Sequence, residues 1–217
     1  TLFGLEDYSP AGEKIDGEDR ILPGEALGIK LMSIGFFIDP SDALIWRGPM
    51  ATNALRQMIQ QTQWGELDFL LVDLPPGTGD IHLTLVSELP FTGAVIVSTP
   101  QKIALADVVR GIKMFRNEKI GVPLLGLIEN MAWFTPAELP DNRYYIFGKG
   151  GARSLAAREG IKLLGEIPLI QRVCEASDEG RPVTSEESLA SSYYEDVAGN
   201  MVHQLNKIFQ QPRTCRK

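Results

Sequence analysis

The sequence is poor in the residues that bind soft metals or nucleic acids. Its 217 residues include only two cysteines, Cys174 and Cys215, which are too far apart to form a local metal-binding motif. No apolar run approaches the roughly 20 residues that a membrane-spanning helix needs. A net charge of −7 leaves no basic stripe for binding nucleic acid. We therefore expect no nucleic-acid partner and no membrane partner, and the unpaired cysteines favour a reducing cytoplasm.

A phosphate-binding loop of the form Gly-x-x-x-x-Gly-Lys-Ser/Thr is also absent from the sequence. Such a loop surrounds phosphates with backbone N–H groups at a helix N-terminus. The segment Gly148-Lys149-Gly150-Gly151 has a similar composition, but no Gly-Lys-Ser/Thr follows it. We interpret this segment as the lead into a helix. We expect the chain as given to bind nucleotide weakly or not at all, and to be inactive as an enzyme.

The most informative pattern that is present begins with the apolar run 69–72, within a predicted strand at 69–74. This run predicts a buried strand of a parallel sheet, with Asp73 at its carboxyl end, where open α/β sheets bind ligands. Pro75 and Pro76 stiffen the turn that follows, and Gly77 allows a backbone N–H to approach a phosphate. We interpret Asp73 and Gly77 as catalytic residues of a nucleotidase. Asp73 would contact Mg²⁺ through water, and the Pro-Pro-Gly loop would sense the terminal phosphate.

Apolar segments alternate with amphipathic ones along the chain. Strands are predicted at 29–34, 69–74, 94–98, 124–129 and 162–166, and helices at 50–61, 81–88, 103–116, 151–159 and 196–209. This alternation predicts a doubly wound, mostly parallel α/β sheet with helices on both faces. We expect a single domain over 1–217, with a loop-rich lead-in at about 1–28 and a disordered tail at about 211–217. Segments 6–25 and 135–143, rich in proline, glycine and charge, are predicted loops.

Six blocks of sequence occur in a fixed order along the chain. They are Arg47-Gly48-Pro49-Met50, Asp73 to Asp80, Ser98-Thr99-Pro100-Gln101, Gly126 to Met131, Phe147-Gly148 and Leu164 to Leu169. This series resembles the Mrp/ApbC branch of the MinD/ParA-type P-loop ATPases over nearly the whole chain. The resemblance implies ATP binding with Mg²⁺, slow ATP hydrolysis, homodimers, and carriage of [4Fe–4S] clusters to apo-proteins. It also implies that a first β–P-loop–α–β unit of the fold is missing from this chain.

Two further residues end predicted strands. Asn130 follows the strand at 124–129, and its side-chain amide can both donate and accept hydrogen bonds. From the residues alone, Asn130 either contacts a base or satisfies local backbone groups. Pro168 either packs on a base or simply stops the preceding strand. The resemblance implies that Asn130 hydrogen-bonds the adenine.

The chain departs from this family at the loop 135–143. Mrp-type carriers place a Cys-x-x-Cys after the Asn-Met strand, where two chains share one cluster. Here that stretch has no cysteine, so we identify no iron–sulfur ligand. Threonine, glutamate and aspartate replace soft thiolates poorly.

Three functional hypotheses follow. The first is an Mrp-type protein that binds and hydrolyses ATP and takes part in iron–sulfur cluster transfer. The second is a nucleotide-gated dimeric scaffold that carries no cluster, because the cysteines are absent. The third is a positioning ATPase of the ParA/MinD type, which the acidic composition and the lack of a basic amphipathic C-terminal helix disfavour.

Overall fold

The computed structural model describes residues 2–37, 48–74, 77, 79–136 and 138–210. The chain divides into two compact units, Thr1–Glu88 with Glu175–Pro182, and Leu89–Cys174 with Val183–Lys217. That these units form a single domain stays a prediction. The predicted tail at 211–217 lies outside the described residues.

Two antiparallel hairpins occupy the beginning of the first unit. Strand β1 (Gly12–Ile15) pairs with β2 (Glu18–Ile21), and β3 (Gly24–Ala26) pairs with β4 (Ile29–Leu31). The prediction of a loop over 6–25 was therefore wrong.

The hairpin turns explain this error. Each hairpin turns through two residues with positive φ, Asp16-Gly17 and Leu27-Gly28. Asp-Gly is among the strongest short signals for such a turn, so the first hairpin could have been predicted from the sequence. The strand predicted at 29–34 ends early, because a 3₁₀ turn follows at Ile34–Phe37.

Helices α1 (Gly48–Gln60) and α2 (Asp80–Glu88) pack together in the same unit and agree with the helices predicted at 50–61 and 81–88. The first hairpin is joined to the end of α1 by backbone hydrogen bonds. Ile21 N–H donates to the Gln61 carbonyl at 2.9 Å, and Gln63 N–H donates to the Ile21 carbonyl at 2.8 Å.

Residues 69–74 form no strand, contrary to prediction. Phe69, Leu70 and Leu71 are exposed, Leu71 to 77%. A strand needs a neighbour to pair its N–H and C=O groups, and no strand within the described ranges pairs with this segment. The apolar residues of this segment favour a strand, but the described residues do not supply a partner strand to pair with it.

The second unit contains a three-stranded parallel sheet. Strands β5 (Ala94–Ser98), β6 (Leu124–Phe134) and β7 (Leu163–Leu169) lie in that order, as the alternating pattern predicts. Strand β6 continues well past its predicted end at residue 129, and β7 past residue 166. The α/β class and the parallel strand direction are confirmed.

Helices cover both faces of this sheet. Helices α3 (Lys102–Phe115) and α4 (Gly151–Glu159) pack with Leu127 on one face. On the other face, α6 (Leu189–Gln210) packs with Ile128. Because neighbouring strand residues point to opposite faces, Leu127 and Ile128 bury two different cores.

Two helices differ from the sequence prediction. Helix α5 (Gln171–Asp178) was not predicted, and α6 begins well before residue 196. Ser188 and Ser191 explain the early start, since each side-chain oxygen accepts the other residue's backbone N–H, at 3.1 and 2.9 Å. None of the helices in the described ranges is long and apolar enough to cross a membrane.

Candidate functional site

The carboxyl ends of β5, β6 and β7 meet at one edge of the parallel sheet. Ser98 is the register partner of Glu129, and Asn130 is the partner of Ile167. Pro168 follows Ile167 directly, so the sheet brings the two predicted base-contact residues together. The carboxyl edge of a parallel sheet is the usual ligand-binding edge of open α/β folds.

Asn130 begins an irregular stretch of β6. Its Oδ1 accepts a hydrogen bond from the backbone N–H of Met131 at 3.0 Å. Met131 has φ +54°, and the pairing of β6 with β7 shifts register between Asn130 and Phe134. A methionine in this conformation is strained, and such strain collects at functional sites. Asn130 thus satisfies local backbone through Oδ1, while its Nδ2 makes no hydrogen bond to any residue described.

Glu129 is a fully buried acid, only 1% exposed. Its Oε2 accepts hydrogen bonds from the backbone N–H groups of Ala152 at 2.6 Å and Arg153 at 3.4 Å. These groups belong to the first turn of α4, where the helix dipole favours a negative charge. Glu129 therefore caps α4 from a neighbouring strand. Sequence analysis missed this role, and the only signal was Gly150, an N-cap residue with no side chain of its own.

The segment Gly148 to Gly151 leads directly into α4, which begins at Gly151 as predicted. Gly151 lies so close to the loop after β5 that an added Cβ would stand 2.2 Å from the Pro100 carbonyl oxygen. Glycine is needed here for close packing. Because Glu129 already occupies the first-turn amides, this segment is built as a helix start and not as a phosphate cradle.

Arg153 and Glu166 connect α4 to β7. Arg153 donates from Nε to Glu166 Oε1 at 3.2 Å and also from its terminal guanidinium nitrogen to Oε2. The hydrogen bonds that the Glu166 carboxylate accepts from Arg153 raise the pKa of Arg153 above its ordinary value. The Arg153 side chain is largely exposed, so this pair orients the helix more than it stabilises the fold.

Asp73 and Gly77 lie in the other unit, between α1 and α2. Asp73 is exposed and makes no hydrogen bond or ion pair with the described part of the chain, and Gly77 has φ +100° with open space around it. Pro75 and Pro76 lie outside the described residues.

The exposed Asp73 carboxylate fits a water-mediated contact with Mg²⁺. No group of three or more metal-binding side chains occurs within the described ranges. Mg²⁺ does not require such a group, since it keeps several waters and takes further ligands from substrate phosphates. The open backbone at Gly77 likewise fits an N–H donor to a phosphate.

The loop after β6 is folded without thiols. The backbone N–H and C=O groups of Phe134 and Tyr144 exchange two hydrogen bonds of 2.8 Å. The Arg143 guanidinium stands 4.3 Å from the centre of the Trp133 ring. Cys174, the cysteine that the structure describes, is exposed on α5, and Cys215 falls beyond the described residues.

A parallel α/β sheet with a polar carboxyl edge, in a chain that also contains the sequence Asp-Leu-Pro-Pro-Gly at 73–77, is typical of nucleotide-binding proteins of the P-loop NTPase class. The chain belongs to the ParA family of NUBPL iron-transfer P-loop NTPases, whose family model matches residues 1–202. This membership confirms the resemblance drawn from the sequence.

Curated relatives carry names that agree with this family. The chain is 46% identical over 192 residues to the iron-sulfur cluster transfer protein NUBPL of Dictyostelium discoideum, covering 88% of this chain and 58% of that protein. It is 48% identical over 187 residues to the iron-sulfur cluster carrier protein of Aquifex aeolicus, covering 84% and 49%. The chain thus spans about half the length of these relatives.

A solved structure shares both fold and sequence with this chain. It is the nucleotide-binding protein of Archaeoglobus fulgidus in complex with ADP, with a TM-score of 0.69 and 38% identity. The match covers 86% of this chain and 70% of that one. The P-loop NTPase fold class is therefore confirmed.

Proposed function

We propose that the protein containing this chain binds and hydrolyses ATP with Mg²⁺ and takes part in transferring iron–sulfur clusters to apo-proteins. We also propose that it is cytoplasmic and works as a homodimer. The observation that best supports nucleotide binding is the carboxyl edge of the sheet, where Asn130 lies beside Ile167 and Pro168. The similar Archaeoglobus fulgidus protein was solved with ADP.

Asn130 and Pro168 would hold the base in this proposal. Oδ1 of Asn130 is committed to the Met131 N–H, which leaves Nδ2 as a donor for a ring nitrogen of adenine. Pro168 would pack against the face of the ring. Glu129 would act indirectly, because it fixes the start of α4 beside the same strand end.

A separate part of the proposal, which comes from the family resemblance, assigns Asp73 and Gly77 to Mg²⁺ and phosphate. The Asp73 carboxylate would orient water on Mg²⁺, which neutralises the charge that develops on the transferred phosphoryl group. Pro75 and Pro76 would stiffen the turn, and the Gly77 N–H would donate to the terminal phosphate. Catalysis of this kind is mainly positioning and charge stabilisation, with water attacking the γ-phosphorus.

A second candidate function is a nucleotide-gated scaffold that carries no cluster. The observation that favours it is the loop after β6, which has no thiol and is closed by the Phe134–Tyr144 hydrogen bonds. Carboxylates and hydroxyls in such a loop are poor ligands for iron–sulfur clusters.

Anaerobic reconstitution with ferrous iron and sulfide separates the two candidates. A cluster held by thiolates gives visible charge-transfer absorption. Cys174→Ser is the informative variant, because Cys174 is exposed and needs no unfolding to reach iron. Absorption that disappears in this variant supports cluster carriage through Cys174. No absorption in the unaltered protein removes the carrier role and leaves the ATPase proposal standing.

A further inference from the structure

A groove lies between helices α3 and α4 of the second unit. Its volume is about 490 Å³, and its walls are side chains from residues 102–109 of α3 and 151–158 of α4. The seven steps from residue 102 to residue 109 rise about 10 Å along the helix. The groove is therefore about as long as two helical turns.

The floor of the groove is apolar. Leu155 of α4 is buried, and Leu105 and Val109 of α3 are half-buried. These two α3 side chains pack against the core cluster that contains Leu127 and Leu155. The groove thus leaves part of the core of this unit open to solvent, where an apolar side chain of a partner would gain burial.

The two ends of the groove are positively charged. Because α3 and α4 both follow parallel strands, they run in the same direction, and Lys102 in the first turn of α3 lies at the opposite end from Arg158 in the last turn of α4. Lys102 makes no ion pair with the part of the chain that the structure describes. Arg158 stands 3.4 Å from Glu159, which also pairs with Arg116 at 3.3 Å, so this end keeps a net positive charge.

The start of α3 adds to the positive potential. Its N-cap residue, Gln101, makes no side-chain capping bond, and its first turn contains no acid. Helix N-termini attract carboxylates, and here a lysine stands in that place. Together α3 and α4 carry five cations and two acids, a net charge of +3, on a chain whose net charge is −7.

An apolar floor between two positive ends complements an apolar stripe flanked by carboxylates. An amphipathic helix presents such a stripe at intervals of three and four residues, and helix-in-groove binding is a common mode of peptide recognition. The small side chains of Ala106 and Ser154 in the walls let a third helix approach to the usual packing distance. A fatty acid has similar chemistry, but sites for small ligands enclose most of the ligand surface. Ala106 and Ser154 are exposed, so this groove covers only one side of its occupant.

We propose that the groove between α3 and α4 docks a short, acidic, amphipathic helix of a partner protein. The apolar stripe of that helix lies on Leu105, Val109 and Leu155, and its carboxylates face Lys102 and Arg158. The inference goes beyond the proposed function and does not depend on nucleotide or cluster binding.

Fluorescence anisotropy with a designed helical peptide tests this proposal. The labelled peptide has about 15 residues, long enough to form a helix, with leucine at every third or fourth position, glutamate on both sides of this stripe and alanine elsewhere. A second peptide replaces each glutamate with lysine. We expect the 217-residue chain to bind the glutamate peptide at least tenfold more tightly. The net charge of −7 attracts the lysine peptide non-specifically, so the opposite preference can come only from a local positive site.

A charge reversal locates the binding. Lys102→Glu should raise the dissociation constant of the glutamate peptide about fivefold. This variant places an acid at a helix N-terminus, which favours the helix, so weaker binding cannot be attributed to unfolding. Lys113→Glu is the matched control, because Lys113 is exposed on α3 outside the groove walls. It lies about 16 Å along the helix from Lys102, beyond the Debye length of about 8 Å at physiological salt, and should change affinity less than about twofold.

A neutral substitution tests the apolar part of the groove. Ala106→Gln places a larger polar side chain in the wall and should weaken binding about tenfold. Ala157→Gln makes the same change at an exposed position of α4 outside the groove and should leave affinity unchanged.

Three outcomes overturn the proposal. The first is an absence of binding by the glutamate peptide, or equal affinity for the two peptides. The second is binding that neither Lys102→Glu nor Ala106→Gln weakens, which would place the peptide elsewhere on the chain. The third is calorimetric binding of decanoate without binding of the glutamate peptide, which would assign the groove to an anionic acyl chain.

Discussion

Glu129 Oε2 lies 2.6 Å from the backbone nitrogen of Ala152, so a buried strand residue caps the helix that starts beside it. Helix α4 has only glycine at its N-cap position and cannot cap itself. The carboxylate supplies both a hydrogen-bond acceptor and a negative charge at the positive end of the helix dipole. This contact joins the start of α4 to the strand end that carries Asn130, the residue that we propose for the base.

Removing this cap should destabilise the fold. Glu129→Ala leaves the Ala152 N–H buried without an acceptor, and we expect the free energy of unfolding to fall by about 1–3 kcal/mol. Glu129→Gln keeps an acceptor oxygen but loses the charge, so its cost should be smaller, about 0.3–1 kcal/mol. Urea unfolding measures both effects. Glu138→Ala, at an exposed position, is the control and should stay within about 0.5 kcal/mol of the unaltered chain. Equal stability of Glu129→Ala and the control would contradict the capping role.

Gly151→Ala should also lower the free energy of unfolding, as measured by urea unfolding. The added Cβ would stand 2.2 Å from the Pro100 carbonyl oxygen, so helix and loop must move apart. Overpacking of this kind costs about 1–3 kcal/mol.

Gly111→Ala, within α3, is the matched control for this substitution, because its added Cβ would meet nothing within 4 Å beyond its chain neighbours and the backbone of its own helix. Alanine there should stabilise the chain by up to about 1 kcal/mol through helix propensity. If both substitutions changed the free energy of unfolding in the same direction, that result would argue against the close approach at Gly151.

The nucleotide prediction concerns the chain as given. Without a phosphate loop we expect Mg-ATP to leave its unfolding temperature unchanged in a thermal-shift titration. A ligand at one hundred times its dissociation constant would add about 2.7 kcal/mol of stability, which such a titration detects easily. A clear upward shift would contradict this prediction, because it would show that the chain as given already binds the nucleotide.

The outcome at particular residues shows what sequence patterns can predict. The runs 94–98 and 124–129 form parallel strands, as predicted, because each pairs with another strand of the sheet. Asn130 lies near Pro168 because β6 and β7 pair. The run 69–74 has the same local character but no partner strand among the residues that the structure describes, so the sequence pattern alone could not decide whether it forms a strand. The Glu129 cap joins positions far apart in sequence, and only the folded arrangement reveals it.

The central claim is that Asp73 organises the metal for ATP hydrolysis, and turnover tests it most directly. The measurement is the steady-state ATPase rate of the longer protein, including the phosphate loop that the family resemblance implies. Asp73→Asn should lower kcat by roughly 10–100-fold, the usual cost of losing a residue that orients metal-bound water.

Asp68→Asn is the control for this measurement, because Asp68 is exposed in the same segment and should leave the rate unchanged. Raising the Mg²⁺ concentration should recover part of the Asp73→Asn loss, but none of a loss caused by misfolding. A large loss confined to Asp73→Asn is the result that this account predicts. Turnover that is unchanged in Asp73→Asn, or reduced equally by both substitutions, would contradict it.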